Sequence, residues 1–273
     1  MAYRSLLFVP GSRPDRFEKA IAAGADSVCI DLEDAVAPSG KAEARSEVMR
    51  FFETPRTSAC AIGFRMNALS TADGYRDIAA FADSKATPDF LMIPKASGAD
   101  ELLLIAEALG PRTPSLWPLI ETPQALARVH DIASAVGENG GVMFGGADYS
   151  AAIGASMVWD ALFPARTSIV AAASGYGAEA MDVPYLDVKD DDGLCADTER
   201  VKALGFTGRA CIHPAQVATV NAVFAPSPDD INRAERIVSA YEEAGGGVAL
   251  LDGKLIEKPV LRAAKRTLAA KRD

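Results

Sequence analysis

At 273 residues and 49% hydrophobic content, the chain can bury a full core as one large domain or two small ones. A formal charge of −9 and a pI near 4.9 exclude nucleic acid and anionic membrane as main partners, though a local basic patch could still hold phosphates. No apolar run reaches the roughly 18 residues of a membrane span, and the apolar segment of MAYRSLLFVPGSRPD is too short for a signal peptide, so the expected compartment is the cytoplasm.

Strand-like apolar runs alternate with helical patterns along nearly the whole length, which points to parallel α/β architecture. RSLLFV (4–9) precedes a helix opened near Ser12 and Pro14, SVCIDL (27–32) one from about Lys41, and CAIGFRM (60–66) one from about Thr71. DFLMIP (89–94) precedes a helix through ELLLIAEAL. SLWPLI (115–120) and GVMFGG (141–146) are the fifth and sixth strands. Between them Thr122 and Pro123 supply an N-cap and a first-turn proline, Leu126, Val129, Ile132, Ala133 and Val136 recur at helical spacing, and Gly137 stops the helix. After a helix around Ala165–Ser174, MDVPYLDV (181–188) is a weaker seventh strand and GRACIH (208–213) an eighth. Eight such units predict a TIM (β/α)8 barrel over residues 1–226. A doubly wound dinucleotide fold has little support, since no G-x-G-x-x-G follows the first strand. The Ala/Gly-rich stretch Ala171–Ala180 and the acidic run DVKDDDG (187–193) read as loops and helix ends. Cys29, Cys60, Cys195 and Cys211 lack C-x-x-C spacing and read as reduced core thiols.

Residues 227–273 form an appendix of C-terminal helices and a flap, expected to pack on a neighbouring subunit. Its first helix is capped at Ser227 and ends at Gly245; a GGG hinge (245–247), a hairpin turning at DG and a basic helix follow.

Barrel chemistry collects where strands end. Those ends carry Pro10-Gly11-Ser12-Arg13, Glu33-Asp34, Arg65-Met66-Asn67, Lys95, Glu121, Asp148 and His213. A right-handed β-α-β crossover brings Glu121 and Asp148 to one edge of the sheet. Paired hard oxygens with room for water and substrate are what Mg²⁺, or Mn²⁺ in its place, receives from a protein. With His130 and His213 as the only histidines, a His-rich zinc site is excluded, and no G-x-S-x-G elbow suggests a serine nucleophile. His130 reads as exposed and His213 as structural.

RSLLFVPGSRPDRFEKA, DLEDAVAPSGKAEAR, RMN (65–67), MIPK (92–95), LIET (119–122), GGADYS (145–150), IHPAQ (212–216) and DGKLIEKP (252–259) together resemble the citrate lyase beta-subunit-like branch of the HpcH/HpaI aldolase superfamily. That branch includes malyl-CoA, citramalyl-CoA and β-methylmalyl-CoA lyases and related thioesterases. The resemblance implies a Mg²⁺-dependent carbon–carbon lyase that cleaves or forms a 3-hydroxy-dicarboxylyl thioester, with an acyl-CoA and a 2-oxo acid as small-molecule partners. It implies that Glu121 and Asp148 hold the metal, and that Arg65, Gly146, Ala147 and Asp148 contact substrate. It further implies catalytic roles for Arg65, Glu33 and Asp34, and makes Arg13 and Lys19 candidates for the phosphates of coenzyme A. A homotrimer or a multiple of one would let the flap serve a neighbour. The family's flap aspartate is replaced by Glu257, whose extra methylene moves the acid by about 1 Å. Alternatives are a citrate lyase beta subunit acting on an acyl carrier protein thioester, a malyl-CoA-type thioesterase, and a catalytically silent barrel serving assembly.

Overall fold

The computed structural model describes residues 3–244 and 248–271. The expected GGG hinge lies outside the described residues. Eight strands run in parallel: β1 Ser5–Pro10, β2 Ser27–Asp31, β3 Ala61–Arg65, β4 Phe90–Ile93, β5 Ser115–Ile120, β6 Gly141–Phe144, β7 Glu179–Asp182 and β8 Gly208–Cys211. They pair in chain order, and β8 returns to β1 with Leu6 against Ala210, closing the barrel. Around them run α1 Phe17–Ile21, α2 Lys41–Glu53, α3 Ala72–Asp83, α4 Ala99–Leu109, α5 Pro123–Ala127, α6 Val129–Val136, α7 Gly146–Ala152, α8 Trp159–Tyr176, α9 Asp191–Leu204 and α10 Gln216–Phe224.

Period-2 alternation divides each strand between two cores. Leu6, Cys29, Phe90, Met92, Trp117, Leu119, Met143, Met181 and Ala210 form one buried cluster that fills the barrel. Gly63 completes it by having no side chain, because a Cβ there would lie 2.3 Å from the Phe90 carbonyl oxygen and 2.5 Å from its ring. Residues of the other parity face the helices, as where the Phe64 ring lies 5.8 Å from Phe52 of α2 and 5.6 Å from Phe81 of α3.

Several local expectations hold. Thr122 Oγ1 accepts from the Ala125 amide at 3.0 Å, and Gly137 takes the positive φ (60°) that ends α6. Others are corrected. The segment from Thr122 to Val136 is two helices, because Arg128 leaves helical geometry at φ −110°, ψ 14°. Helix α8 begins at Trp159, six residues before the expected start, and carries Pro164 within its first two turns. The seventh strand covers 179–182, not 181–188. Pro184, with no N–H to give a neighbour, lies just beyond it, and the strand starts two residues past the left-handed Gly177 (φ 75°) in what read as loop. All four cysteines are free; Cys29 and Cys211 are core thiols, but Cys60 and Cys195 are only half-buried.

Between β7, β8 and the helices α8 and α9 lies a buried ionic layer. Arg166 donates from Nε and Nη2 to the two oxygens of Asp182, each at 3.0 Å. Arg209 reaches Asp182 at 3.7 Å, Asp197 at 2.7 Å and the Val183 carbonyl at 3.2 Å. Both arginines and Asp182 are at most 3% exposed.

The described residues divide into two compact units, Tyr3–Asn221 and those from Ala222 onward. The second holds α11 Pro228–Glu243, the antiparallel pair β9 Ala249–Leu251 and β10 Lys254–Ile256, and α12 Lys258–Ala269. Its core is Ala234, Ile237, Tyr241, Ala249, Ile256 and Ala264. Ser227 forms a full capping box with Asp230, and the hairpin turns at Asp252-Gly253, both with positive φ as a type I′ turn needs. Among the described residues no helix is long and apolar enough to cross a membrane.

Removing one partner from a buried ion pair leaves an uncompensated charge, at a cost of about 3–5 kcal/mol. Asp182→Asn, which takes from Arg166 its carboxylate partner while Arg209 keeps Asp197, is expected to lower barrel stability by about that amount in urea denaturation; a loss under about 1 kcal/mol would show that water already solvates the layer.

Candidate active site

The carboxyl ends of β2, β3, β4 and β5 gather five charged groups on one rim: Asp31, Glu33, Arg65, Lys95 and Glu121. Arg65, the last residue of β3, donates from Nε to Asp31 Oδ1 (2.7 Å) and from Nη2 to Asp31 Oδ2 (2.6 Å). Its Nη1 lies 2.9 Å from Glu33 Oε2 and 3.8 Å from Asp34 Oδ2. Burial by itself would lower the guanidinium pKa, but the paired hydrogen bonds to Asp31, then the charges of Asp31 and Glu33, raise it above its ordinary value. Arg65 is a permanent cation, and its planar fork keeps N–H groups beyond the two that Asp31 accepts.

Asp31 ends β2, is 2% exposed, and also accepts the Glu33 and Ala35 amides at 2.8 and 3.0 Å. Glu33 is buried; its Oε1 accepts Lys95 Nζ at 2.8 Å, while Oε2 is buried without a hydrogen bond, its approach to Arg65 being off the donor direction. Burial raises the Glu33 carboxyl, against the Arg65 charge and the Lys95 hydrogen bond, which lower it.

Glu121 follows β5 and is 2% exposed. Its Oε1 accepts the Lys95 amide at 2.6 Å. Burial, then the charges of Glu33 and Asp148, push its carboxyl up to about 7, although the Lys95 amide and Arg65 oppose the rise. Room for it comes from Gly145, where a Cβ would stand 2.3 Å from Glu121 Cβ and 2.7 Å from Oε2. Asp148 lies exposed in the first turn of α7, where the helix end favours an anion. Gly146 is buried against Phe144 and Val183, and Ala147 is exposed beside Asp148.

The structure thus brings Arg65, Glu33 and Glu121 together, with Asp148 close enough to act on Glu121. Asp34 stands at the edge, its side chain 60% exposed. Arg13 and Lys19 are exposed on the segment after β1, and Arg13 is paired with Asp15 at 2.7 and 2.8 Å. Glu257 belongs to the second unit, at the N-cap of α12, exposed and with no side-chain cap bond. His213 is exposed, and its Nδ1 accepts the Ala215 amide at 3.2 Å, a turn contact. Among the described residues no three His, Cys, Asp or Glu side chains form a ready-made metal cage.

Two contributors escape the sequence reading. Asp31, which clamps the arginine, ends an apolar run next to the more conspicuous Glu33-Asp34. Lys41, on α2, donates to the carbonyls of Leu32 and Glu33 (3.0 and 2.9 Å) and to Asn67 Oδ1 (2.5 Å), fixing the loop that carries Glu33. Asn67 in turn donates twice to Asp77, at 2.7 Å each.

Residues 4–214 match the model of the HpcH/HpaI aldolase/citrate lyase family. The chain belongs to that family. This HpcH/HpaI member is 39% identical over 272 residues to (3S)-malyl-CoA thioesterase of Cereibacter sphaeroides, covering 98% of this chain and 94% of that protein. It is 31% identical over 286 residues to mitochondrial citramalyl-CoA lyase of Homo sapiens, covering 97% and 84%. Among solved structures, protein CitE of Mycobacterium tuberculosis in complex with magnesium, acetoacetate and coenzyme A superposes with a TM-score of 0.81 at 32% identity, covering 98% of both chains. The resemblance read from the motifs and the (β/α)8 barrel are both borne out. HpcH/HpaI relatives at similar identity include both a thioesterase and a lyase, so family membership gives an enzyme lineage and leaves the bond cleaved to be argued.

Because the Glu121 carboxyl lies near 7 in the folded chain and at the ordinary 4.5 when exposed, the folded state holds the extra proton between those values. The stability this confers is present below pH 4.5 and lost as pH rises through 7, roughly 3 kcal/mol in all. In EDTA, the urea stability of the wild type is expected to fall more steeply over that range than that of Glu121→Gln. Parallel profiles would place Glu121 in a solvated site.

Proposed function

We propose that the chain is a Mg²⁺-dependent carbon–carbon lyase that cleaves, or in reverse forms, a malyl- or citramalyl-type CoA thioester to give an acetyl or related acyl-CoA and a 2-oxo acid. The observation that carries the reading is the Arg65 guanidinium fixed by Asp31 beside the buried acids Glu33 and Glu121. The donor set fits a hard divalent cation: Glu121 and Asp148 supply oxygens, Gly145 keeps the space beside Glu121 clear, and Glu121 is a buried acid with the charges of Glu33 and Asp148 beside it. When bound, the ion supplies Lewis acidity toward the substrate's hydroxyl and carboxylate and holds them in place.

The chain's own residues do the rest. Cleavage removes the hydroxyl proton, turns that carbon into the carbonyl of the 2-oxo acid, and leaves the bonding electrons on the thioester fragment as an enolate. Arg65, with N–H groups not taken by Asp31, faces the thioester oxygen where this charge collects; a fixed donor of this kind contributes about 3–4 kcal/mol. Asp31 and Glu33 hold the guanidinium in plane. Glu33 Oε2 is buried 2.9 Å from Arg65 Nη1 and acts on the guanidinium through its charge. The proton that quenches the enolate carbon is assigned to Glu257 of a second copy by the family resemblance alone, which also favours a homotrimer or a multiple of one. Arg13 and Lys19 are the cations proposed for the phosphates of coenzyme A, and Gly146 and Ala147 for the 2-oxo acid.

Hydrolysis of the same thioester is the second reading, favoured by the 39% identity to a thioesterase. The two separate by product. With Mg²⁺ and (3S)-malyl-CoA or citramalyl-CoA, a lyase yields a 2-oxo acid trapped by phenylhydrazine and no free thiol; a thioesterase yields thiol and no trapped carbonyl. Arg65→Lys is expected to cut kcat about 10²–10³-fold in either case. Mixed assemblies of Arg65→Ala and Glu257→Gln, each inactive alone, should regain activity if the acid comes from a second copy. Turnover of neither thioester, or an Arg65→Lys variant as fast as wild type, would sink both readings.

A further inference from the structure

Lys95 is one of two non-glycine described residues with positive φ, the other being Asp252 in its hairpin turn. At φ 50° it sits in the left-handed region, which a side chain with a Cβ enters at a cost. Pro94 and Lys95 form a turn after β4, and Lys95 holds the position that takes positive φ, where glycine or asparagine is usual and a lysine carries the Cβ cost. What the conformation achieves is local. It aims the Lys95 amide at Glu121 Oε1, 2.6 Å away, while the side chain runs to Glu33 Oε1 at 2.8 Å. One residue thereby grips an acid of β5 through its backbone and an acid of the β2 loop through its ammonium. Glu33 is held from both sides, by Lys95 on Oε1 and by Arg65, 2.9 Å from Oε2. The Lys95 side chain is 41% exposed, so its place is reachable from solvent. Strain kept at a position whose two donors both end on active-site acids is the pattern expected where backbone energy is spent on positioning.

We propose that Lys95 is a positioning residue of this site, whose left-handed backbone and ammonium together set the separation of Glu121 and Glu33, and that the ammonium on Glu33 is required for turnover. The inference rests on the function proposed above and names a residue that the family motifs leave without a role. Lys95→Gly keeps the amide on Glu121, since glycine enters the left-handed region freely, and removes only the ammonium. Lys95→Ala removes the same ammonium but retains the Cβ penalty.

The test measures Mg²⁺ binding by calorimetry, thermal melting, and kcat on (3S)-malyl-CoA and citramalyl-CoA for wild type and both variants. Methylammonium, ethylammonium and propylammonium chloride are then added, with tetramethylammonium chloride, which has no N–H donor, as the ionic control. Expected for Lys95→Gly are undiminished Mg²⁺ affinity, a kcat about 10- to 100-fold below wild type with KM little changed, and partial recovery with a primary ammonium but not with the control. Lys95→Gly should also melt about 2 °C or more above Lys95→Ala, the difference isolating the backbone strain. Wild-type turnover by Lys95→Gly, or a loss that no amine restores, overturns the proposal. If Lys95→Gly does not accumulate as folded protein, Lys95→Ala carries the same amine test. Absence of Mg²⁺ binding by the wild type counts against the metal-dependent function instead, and so the two failures are distinguishable.

Discussion

The bidentate pair between Arg65 and Asp31 organises the rim. Two hydrogen bonds of 2.6 and 2.7 Å from a partly buried guanidinium to a buried carboxylate fix both position and plane, which one point charge beside another would not. Asp31 also accepts the Glu33 and Ala35 amides, so the same carboxylate that orients the arginine shapes the turn presenting Glu33. A buried ion pair adds little net stability over an apolar substitute, and its retention here makes sense as geometry held for chemistry. Without it the remaining acids would repel one another in a place with little water to screen them. Burial first, and neighbouring acids second, raise the carboxyls of Glu33 and Glu121.

On the function proposed, a cationic group at the thioester oxygen would let one scaffold serve two reactions. Carbon–carbon cleavage places charge on that oxygen as an enolate, and hydrolysis places it there as a tetrahedral oxyanion. The atom that must be stabilised is the same. Which reaction follows depends on what else reaches the substrate, an acid for the enolate carbon or a water for the carbonyl, and these are supplied from outside the Arg65–Asp31 unit. This accounts in physical terms for a family in which a thioesterase and a lyase are each similar to one chain over nearly its whole length.

Much of the fold was legible because parallel strands buried on both faces leave unbroken apolar runs, as in RSLLFV and SVCIDL, punctuated by Gly, Pro and capping residues. The seventh strand was misplaced since GAEAMD is short and rich in small residues, while the apolar segment after it contains Pro184 and leaves the sheet. At the site, Arg65, Lys95 and Glu121 interrupt otherwise apolar sequence, and Glu33 is one of an acidic pair at a strand end. Asp31 does not stand out, being the last residue of such a run, where a neighbouring Glu-Asp pair offers the stronger signal. Lys95 was visible as a rim charge, but its backbone conformation was not, because left-handed geometry at a lysine leaves no compositional trace. Lys41 acts from the first turn of α2 on a loop some eight residues away, a reach that spacing does not encode.

The proposed chemistry requires Glu121 and Asp148 to hold one divalent cation across from Arg65. Electron paramagnetic resonance of Mn²⁺ titrated with protein tests it most directly, since the sharp six-line signal of the free ion disappears on binding. The signal is expected to be lost at one equivalent for wild type and Arg65→Lys, to persist for Glu121→Gln and Asp148→Asn, and to return when Mg²⁺ is added to the wild-type complex. Equal quenching by wild type and both carboxylate variants would contradict it.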